Sequence, residues 1–296
     1  MRDCPSAPQR LPHSARPGPL RCLLVGRIKT TIELAKASWE VLKADKELVA
    51  LPVISAIAAI TVALSFLIPF GFLEGTESVG TSEYILLGAL YLALAFITIF
   101  FNTALVYAAN ERLSGGDPTL RSAIAGAARH IPQIFVWALI SATVSVILRS
   151  LQERSGLLGR LVIGLVGMAW TLVTFLVIPV YVIEDVGVVD SVKRSASLFK
   201  RTWGENVAAQ VGFGLLGFLG VIPFLLIGAG AVSAGGSIAA IGVIIAVLGV
   251  ATVSATIAAL NGIFQTALYH YASSGATPGE FFNDDNFAHA FVPRNR

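Results

Sequence analysis

From Asn206 to Gly279 the sequence contains no Asp, Glu, Lys or Arg. A charge at the centre of a bilayer costs about 2.5–3.5 kcal/mol on insertion scales. A run this long without one is built for hydrocarbon. Glycine-rich backbone is a poor helix, so Gly228 to Ser237 is expected to divide the run into two spans. The rest of the chain agrees. Hydrophobic residues make up 55% and charged residues 13%, with a mean hydropathy of +0.76. A soluble domain carries about 25% charged residues, so an ordinary water-facing surface is excluded. A disordered chain, which needs low hydrophobicity and high charge, is excluded too.

A spanning helix needs about 20 mostly apolar residues. Six stretches qualify, near 48–70, 84–109, 131–148, 157–183, 206–227 and 241–270. Residues 27–272 are read as one six-span membrane domain, and 273–296 as a cytoplasmic tail. Residues 1–26 hold Pro5, Pro8, Pro12, Pro17 and Pro19. Proline lacks a backbone donor and blocks helix, so this stretch is read as a disordered tail. A true start further on, near Val25, is the alternative reading. Its apolar run is far shorter than the core of a signal peptide. Cys4 and Cys22 both fall in this tail, which excludes a disulfide framework in the membrane domain.

Eighteen of the 21 Lys and Arg residues fall on one side of this arrangement. They lie before the first span, in loops two and four, and at the C-terminus. The opposite side has Arg149, Arg154 and Arg160, all in loop three, and loop one is acidic with Glu74, Glu77 and Glu83. Lys and Arg resist translocation. Both termini are therefore expected in the cytoplasm, with the protein in the inner (plasma) membrane.

Two segments have helical amphipathicity. Ile28, Ile32, Ala35, Trp39 and Leu42 share one face before the first span. Val189, Val192, Ala196, Phe199 and Trp203 do so before the fifth, where Asp190 is placed to cap the first turn. Both are expected to lie in the membrane interface. Lys193, Arg194, Lys200 and Arg201 lie off the second stripe. They are candidate contacts for anionic head groups, worth about 1 kcal/mol each. Simple packing under the positive-inside rule is the competing reading.

The two segments share a pattern, Leu34-Lys36-Trp39 and Leu198-Lys200-Trp203. Thr103-Ala104-Leu105 and Thr266-Ala267-Leu268 recur at almost the same offset. Two matches at one offset argue for duplication. Ser122 to His130, followed by spans three and four, reads as a shorter copy. The expected fold is thus all-α: a six-span bundle of three parallel repeats, each an interfacial helix plus a transmembrane hairpin. The units are 27–112, 118–185 and 188–272.

Lys36 to Lys43 and Asn110-Glu111-Arg112-Leu113, with the turn Gly115-Gly116-Asp117-Pro118, carry a resemblance. From about residue 27 onward the chain resembles a family of prokaryotic multi-pass membrane proteins of unknown function. More remotely it resembles the membrane-anchor domain of glycerophosphodiester phosphodiesterases. The resemblance implies a six-span bundle and no assigned activity. The catalytic barrel of those phosphodiesterases has no counterpart here, since no segment could form its eight strands.

Gly212-Phe-Gly214-Leu-Leu-Gly217 has the spacing of a dinucleotide loop. It lies inside span five, and no acidic residue follows until Glu280, so close helix packing is the better reading. Ala251, Ala255 and Ala259 suit the same purpose. The candidate intramembrane polar site is Asn102, Asn261, Gln265 and His270. Amides in lipid are costly unless they bond across helices. Interhelical bonding and a solute or head-group site both remain open. Glu184 and Asp185 are expected to pair with Lys193 or Arg194. Asp284 and Asp285 lack the spacing of a calcium loop. No metal, cofactor or nucleic acid is implied. Membrane lipids, anionic ones included, and a membrane-protein partner are the expected partners. A transporter or permease for lipid or small solutes is the alternative to an accessory role.

Overall fold

The computed structural model describes residues 36–45, 47–71 and 81–274. Side chains are described there except at 67–71, 81–83, 200–213, 234 and 238. The Pro-rich tail with its cysteines, loop one, Ile28, Ile32, Ala35 and the Asp284–Asp285 pair lie outside the described residues. So do the side chains of Lys200, Arg201 and Trp203.

Among the described residues every regular element is a helix, and there is no strand. Helix α1 covers 36–44. It is followed by α2 (Glu47–Gly71), α3 (Thr81–Leu113), α4 (Leu120–Arg129), α5 (Ile131–Arg154), α6 (Leu157–Val173), α7 (Val177–Glu184), α8 (Val188–Ala234) and α9 (Gly236–Ser274). Six stretches are long and apolar enough to cross a membrane: Glu47–Phe66, Tyr84–Leu113, Ile131–Arg154, Leu157–Glu184, Gly214–Ser233 and Ala239–Ser274. These are the six expected spans.

The end of the bundle where α2 begins is here called proximal; α3, α7 and α9 finish there. The buried core lies at that end. It is built from Ala104–Ala109 of α3, Ile134 and Trp137 of α5, Phe175–Tyr181 around α7, and Ala259–Leu268 of α9. The distal end is different. Leu157 and Leu158 are 86% and 79% exposed, and Ile60, Ile85, Leu226 and Leu248 all exceed half. Contiguous apolar exposure on this scale marks a surface that meets something other than water. Lipid tails are as apolar as leucine, so hydrocarbon tolerates it.

Glycine sets how closely the helices approach. A Cβ added to Gly249 would stand 2.0 Å from the Phe224 ring, and one at Gly228 would stand 2.9 Å from Ala246. The α8–α9 hairpin closes through Gly235 and Gly236, at φ +72° and +59°, a left-handed region that favours glycine. Gly217 of the dinucleotide-like run rests on Ile257, while Gly214 has nothing near it. Ala255 and Ala259 are buried, but Ala251 is exposed.

Two expectations change. The segment expected as a separate interfacial helix, 189–203, is continuous with span five in α8, a helix about 70 Å long at 1.5 Å per residue. No proline or glycine pair interrupts it there. Its inward stripe is Val188, Ser191, Ser195 and Leu198. The expected stripe lies beside it, with Val189 61% exposed. Gly187 caps this helix, and Asp190 pairs instead with Lys193 at 3.2 Å. In α1 the inward residues are Ala37, Ser38, Val41 and Leu42, with Asp45 just after it, while Trp39 is 42% exposed.

Candidate functional site

Span four is not one helix. It breaks at Thr174–Leu176, between α6 and α7. Pro179 supplies the reason. It has no N–H for the carbonyl four residues back, and its ring crowds that carbonyl. That carbonyl belongs to Phe175. Just before it the chain tightens, with the Val177 N–H going to Thr174 O at 3.1 Å. The ladder therefore leaves Val173 O, Phe175 O and the Leu176 N–H unpaired. Phe175 and Leu176 are buried, and a backbone group left unpaired in lipid costs several kcal/mol.

Two side chains take up all three groups. The Ser195 hydroxyl donates to Val173 O at 2.5 Å and accepts from the Leu176 N–H at 3.2 Å. The Gln265 amide donates to Phe175 O. Ser195 is fully buried and Gln265 nearly so. The break is thus closed by α8 on one side and α9 on the other.

A polar layer continues from the break toward the proximal end. Thr103 donates to Ile99 O at 2.8 Å, so the Tyr181 hydroxyl donates to Thr103 at 2.5 Å. Glu184 Oε1 accepts from Tyr269 at 2.8 Å and from Arg194 Nε at 3.1 Å. His270 Nε2 meets Asn110 Oδ1 at 2.7 Å. His130 Nδ1 meets Gly126 O at 3.0 Å, and its Nε2 lies 3.5 Å from Asp185. These contacts join α3, α4, α7, α8 and α9.

The candidate polar residues separate in this frame. Gln265 and His270 bond across helices. Asn102 lies beside Gly262; among the described residues neither it nor Asn261 has a hydrogen-bond partner. The four do not converge on one point. Of the expected head-group cations, Arg194 is held by Glu184, as the sequence suggested, and Lys193 by Asp190.

Sequence reasoning missed three features. The first is the break itself, for which Pro179 was the available signal. The second is Ser195, one serine among several on a basic helix. The third is a charge pair at the proximal end. Arg112 Nε and Nη2 both donate to Asp45, whose side chain is 8% exposed. Arg112 also reaches Asp117 at 3.0 Å. Asp45 was overlooked because it lies in a stretch of alternating charges that reads as solvated.

Among the described residues no cluster of His, Cys, Asp and Glu is arranged to hold a metal ion. Residues 81–279 match the model of a family described as a family of unknown function, DUF6159. No curated protein and no solved structure matches the chain. The remoter likeness to the phosphodiesterase membrane anchor therefore finds no support.

Proposed function

The chain belongs to the DUF6159 family, and we propose that it is a non-enzymatic organising or accessory protein of the inner (plasma) membrane that binds lipid between its helical units. The observation that carries this reading is the closed break in span four. Transporters use unwound backbone at membrane depth to hold substrate. Here Ser195 and Gln265 take up Val173 O, Phe175 O and the Leu176 N–H, three of the groups the break frees. The arrangement suits a brace rather than a solute site.

The three units, 27–112, 118–185 and 188–272, are proposed as parallel repeats. Supporting this, Thr103 and Thr266 each donate to the carbonyl four residues back, at 2.8 and 2.9 Å, and both are fully buried. Asn102 and Gln265 occupy matching places before them. Cytoplasmic termini are proposed from the excess of basic residues. On the distal side stand Arg149, Arg154 and Arg160, three cations against eighteen.

The test is native mass spectrometry of protein extracted with its surrounding lipid. A stoichiometric lipid, or a reproducible protein partner, is expected. A protein that retains neither would overturn the reading. The transporter reading draws on the same interrupted helix. It requires that proteoliposomes carrying Ser195→Ala, still folded, lose a solute or lipid flux that the unaltered chain supports.

A further inference from the structure

We infer that α4 carries a docking site for anionic phospholipid, with Arg121 and Arg129 as the head-group contacts. This deepens the lipid-binding reading above and rests on it.

At the start of α4 the Leu120 N–H donates to Glu47, the first residue of α2 and of span one. At its other end His130 faces Asp185, the residue that follows α7 and closes span four. Both ends of α4 are therefore held at the level where spans meet the proximal boundary. A helix fixed this way lies along the membrane surface.

Its roll is fixed as well. Ala123, Gly126 and Ala127 are buried, and a Cβ at Gly126 would fall 2.4 Å from the Tyr107 ring. Thr119 and Ser122 close a capping box at the N-terminus, and Ser122 also donates to Glu111 at 3.0 Å. With that face committed to α3, Arg121 and Arg129 stand on the exposed arc. Among the described residues neither has a carboxylate in salt-bridge reach, whereas Lys193 and Arg194 are both paired.

The boundary itself supplies the second half of a lipid footprint. His130 is at once the C-cap of α4 and the N-cap of α5. Span three therefore starts at Ile131, two residues after Arg129. Ile131 and Phe135 are 45% and 49% exposed. A cation at the phosphate level directly above exposed apolar side chains matches a head group above its acyl chain. Negative charge is required of the ligand because both cations lack an acidic neighbour.

The test is native mass spectrometry of protein equilibrated in mixed phosphatidylglycerol and phosphatidylcholine. The unaltered protein is expected to retain phosphatidylglycerol preferentially. That preference should fall about fivefold for each arginine neutralised, in Arg121→Gln, Arg129→Gln and the double variant. Arg121→Lys with Arg129→Lys should keep it, and so should Lys193→Gln. Should the double glutamine variant not fold, the single variants carry the comparison. Retention insensitive to either arginine would overturn this site while leaving lipid binding intact. Loss of all lipid from the unaltered protein would overturn the broader reading instead.

Discussion

Ser195 of α8 and Gln265 of α9 close the same backbone break from two different helices. Neither duplicates the other: the serine takes Val173 O and the Leu176 N–H, the glutamine Phe175 O. The energetic roles of the two can therefore be separated.

Ser195→Ala removes one hydroxyl and leaves one buried and one part-buried backbone group without partners. Each such group costs about 1–3 kcal/mol. The variant is expected to insert normally and to unfold at lower temperature in detergent. Ser195→Thr keeps the hydroxyl and should recover much of the loss. An alanine variant as stable as the parent would mean that the break is satisfied in another way.

Gln265→Leu and Asn102→Leu should differ, although the two positions correspond in the proposed repeat. The first leaves Phe175 O unpaired and is expected to cost about 1 kcal/mol. The second removes an amide that bonds to nothing among the described residues, and should be neutral within about 0.5 kcal/mol. Paired thermal melts in one detergent decide this. Equal losses would show that Asn102 contributes through its packing beside Gly262.

Pro179 can be tested through its coupling to Gln265. Pro179→Ala restores an N–H that can reach Phe175 O. In that background Gln265→Leu should cost less than it does alone. A double-mutant cycle measures the difference, and strict additivity would separate the proline from the break.

The Asp45–Arg112 pair fastens α1 to the end of α3. Removing one partner of a buried pair can cost about 3–5 kcal/mol. Arg112 also has Asp117 and is 20% exposed, so the loss here should fall below that range. Asp45→Asn is expected to raise amide exchange across 36–44 while leaving α3 protected. Unchanged exchange in α1 would show that its apolar face holds it without the charge.

The spans were legible in the sequence because hydrocarbon imposes a simple rule on composition. Leu157 to Glu184 satisfies that rule as a whole, and so the break inside it was hidden. A proline in an apolar run signals where a carbonyl loses its donor. It does not say which side chain will arrive to replace it. Ser195 and Gln265 are 19 and 90 residues away from their backbone partners, and only the packing brings them there. The interfacial segment before span five failed for a related reason. Periodicity identified Val189, Val192 and Ala196 as an apolar face, but the bundle buries the adjacent stripe with Ser191 and Ser195. Ser195 is needed there by the freed backbone groups, while Ser191 bonds to Gly187 O at the start of its own helix. Arg194–Glu184 was readable because opposite charges flank a short turn. Asp45–Arg112 was not, since 67 residues separate its members.

The position of the buried residues along α9 bears on how the protein is made. Its first half touches mainly α8, and its second half, Ala259–Leu268, fills the centre of the core. That half follows all five other spans in the order of synthesis. The earlier helices can enter the membrane one after another, yet the cavity they surround has no filling until the end of α9 arrives. Gln265 comes in the same stretch, so Phe175 O also waits for it. The core is therefore complete only once the end of α9 is in place. A ribosome stalled before Gly262 would leave five inserted spans around an unfilled centre, a state that membrane quality control could recognise.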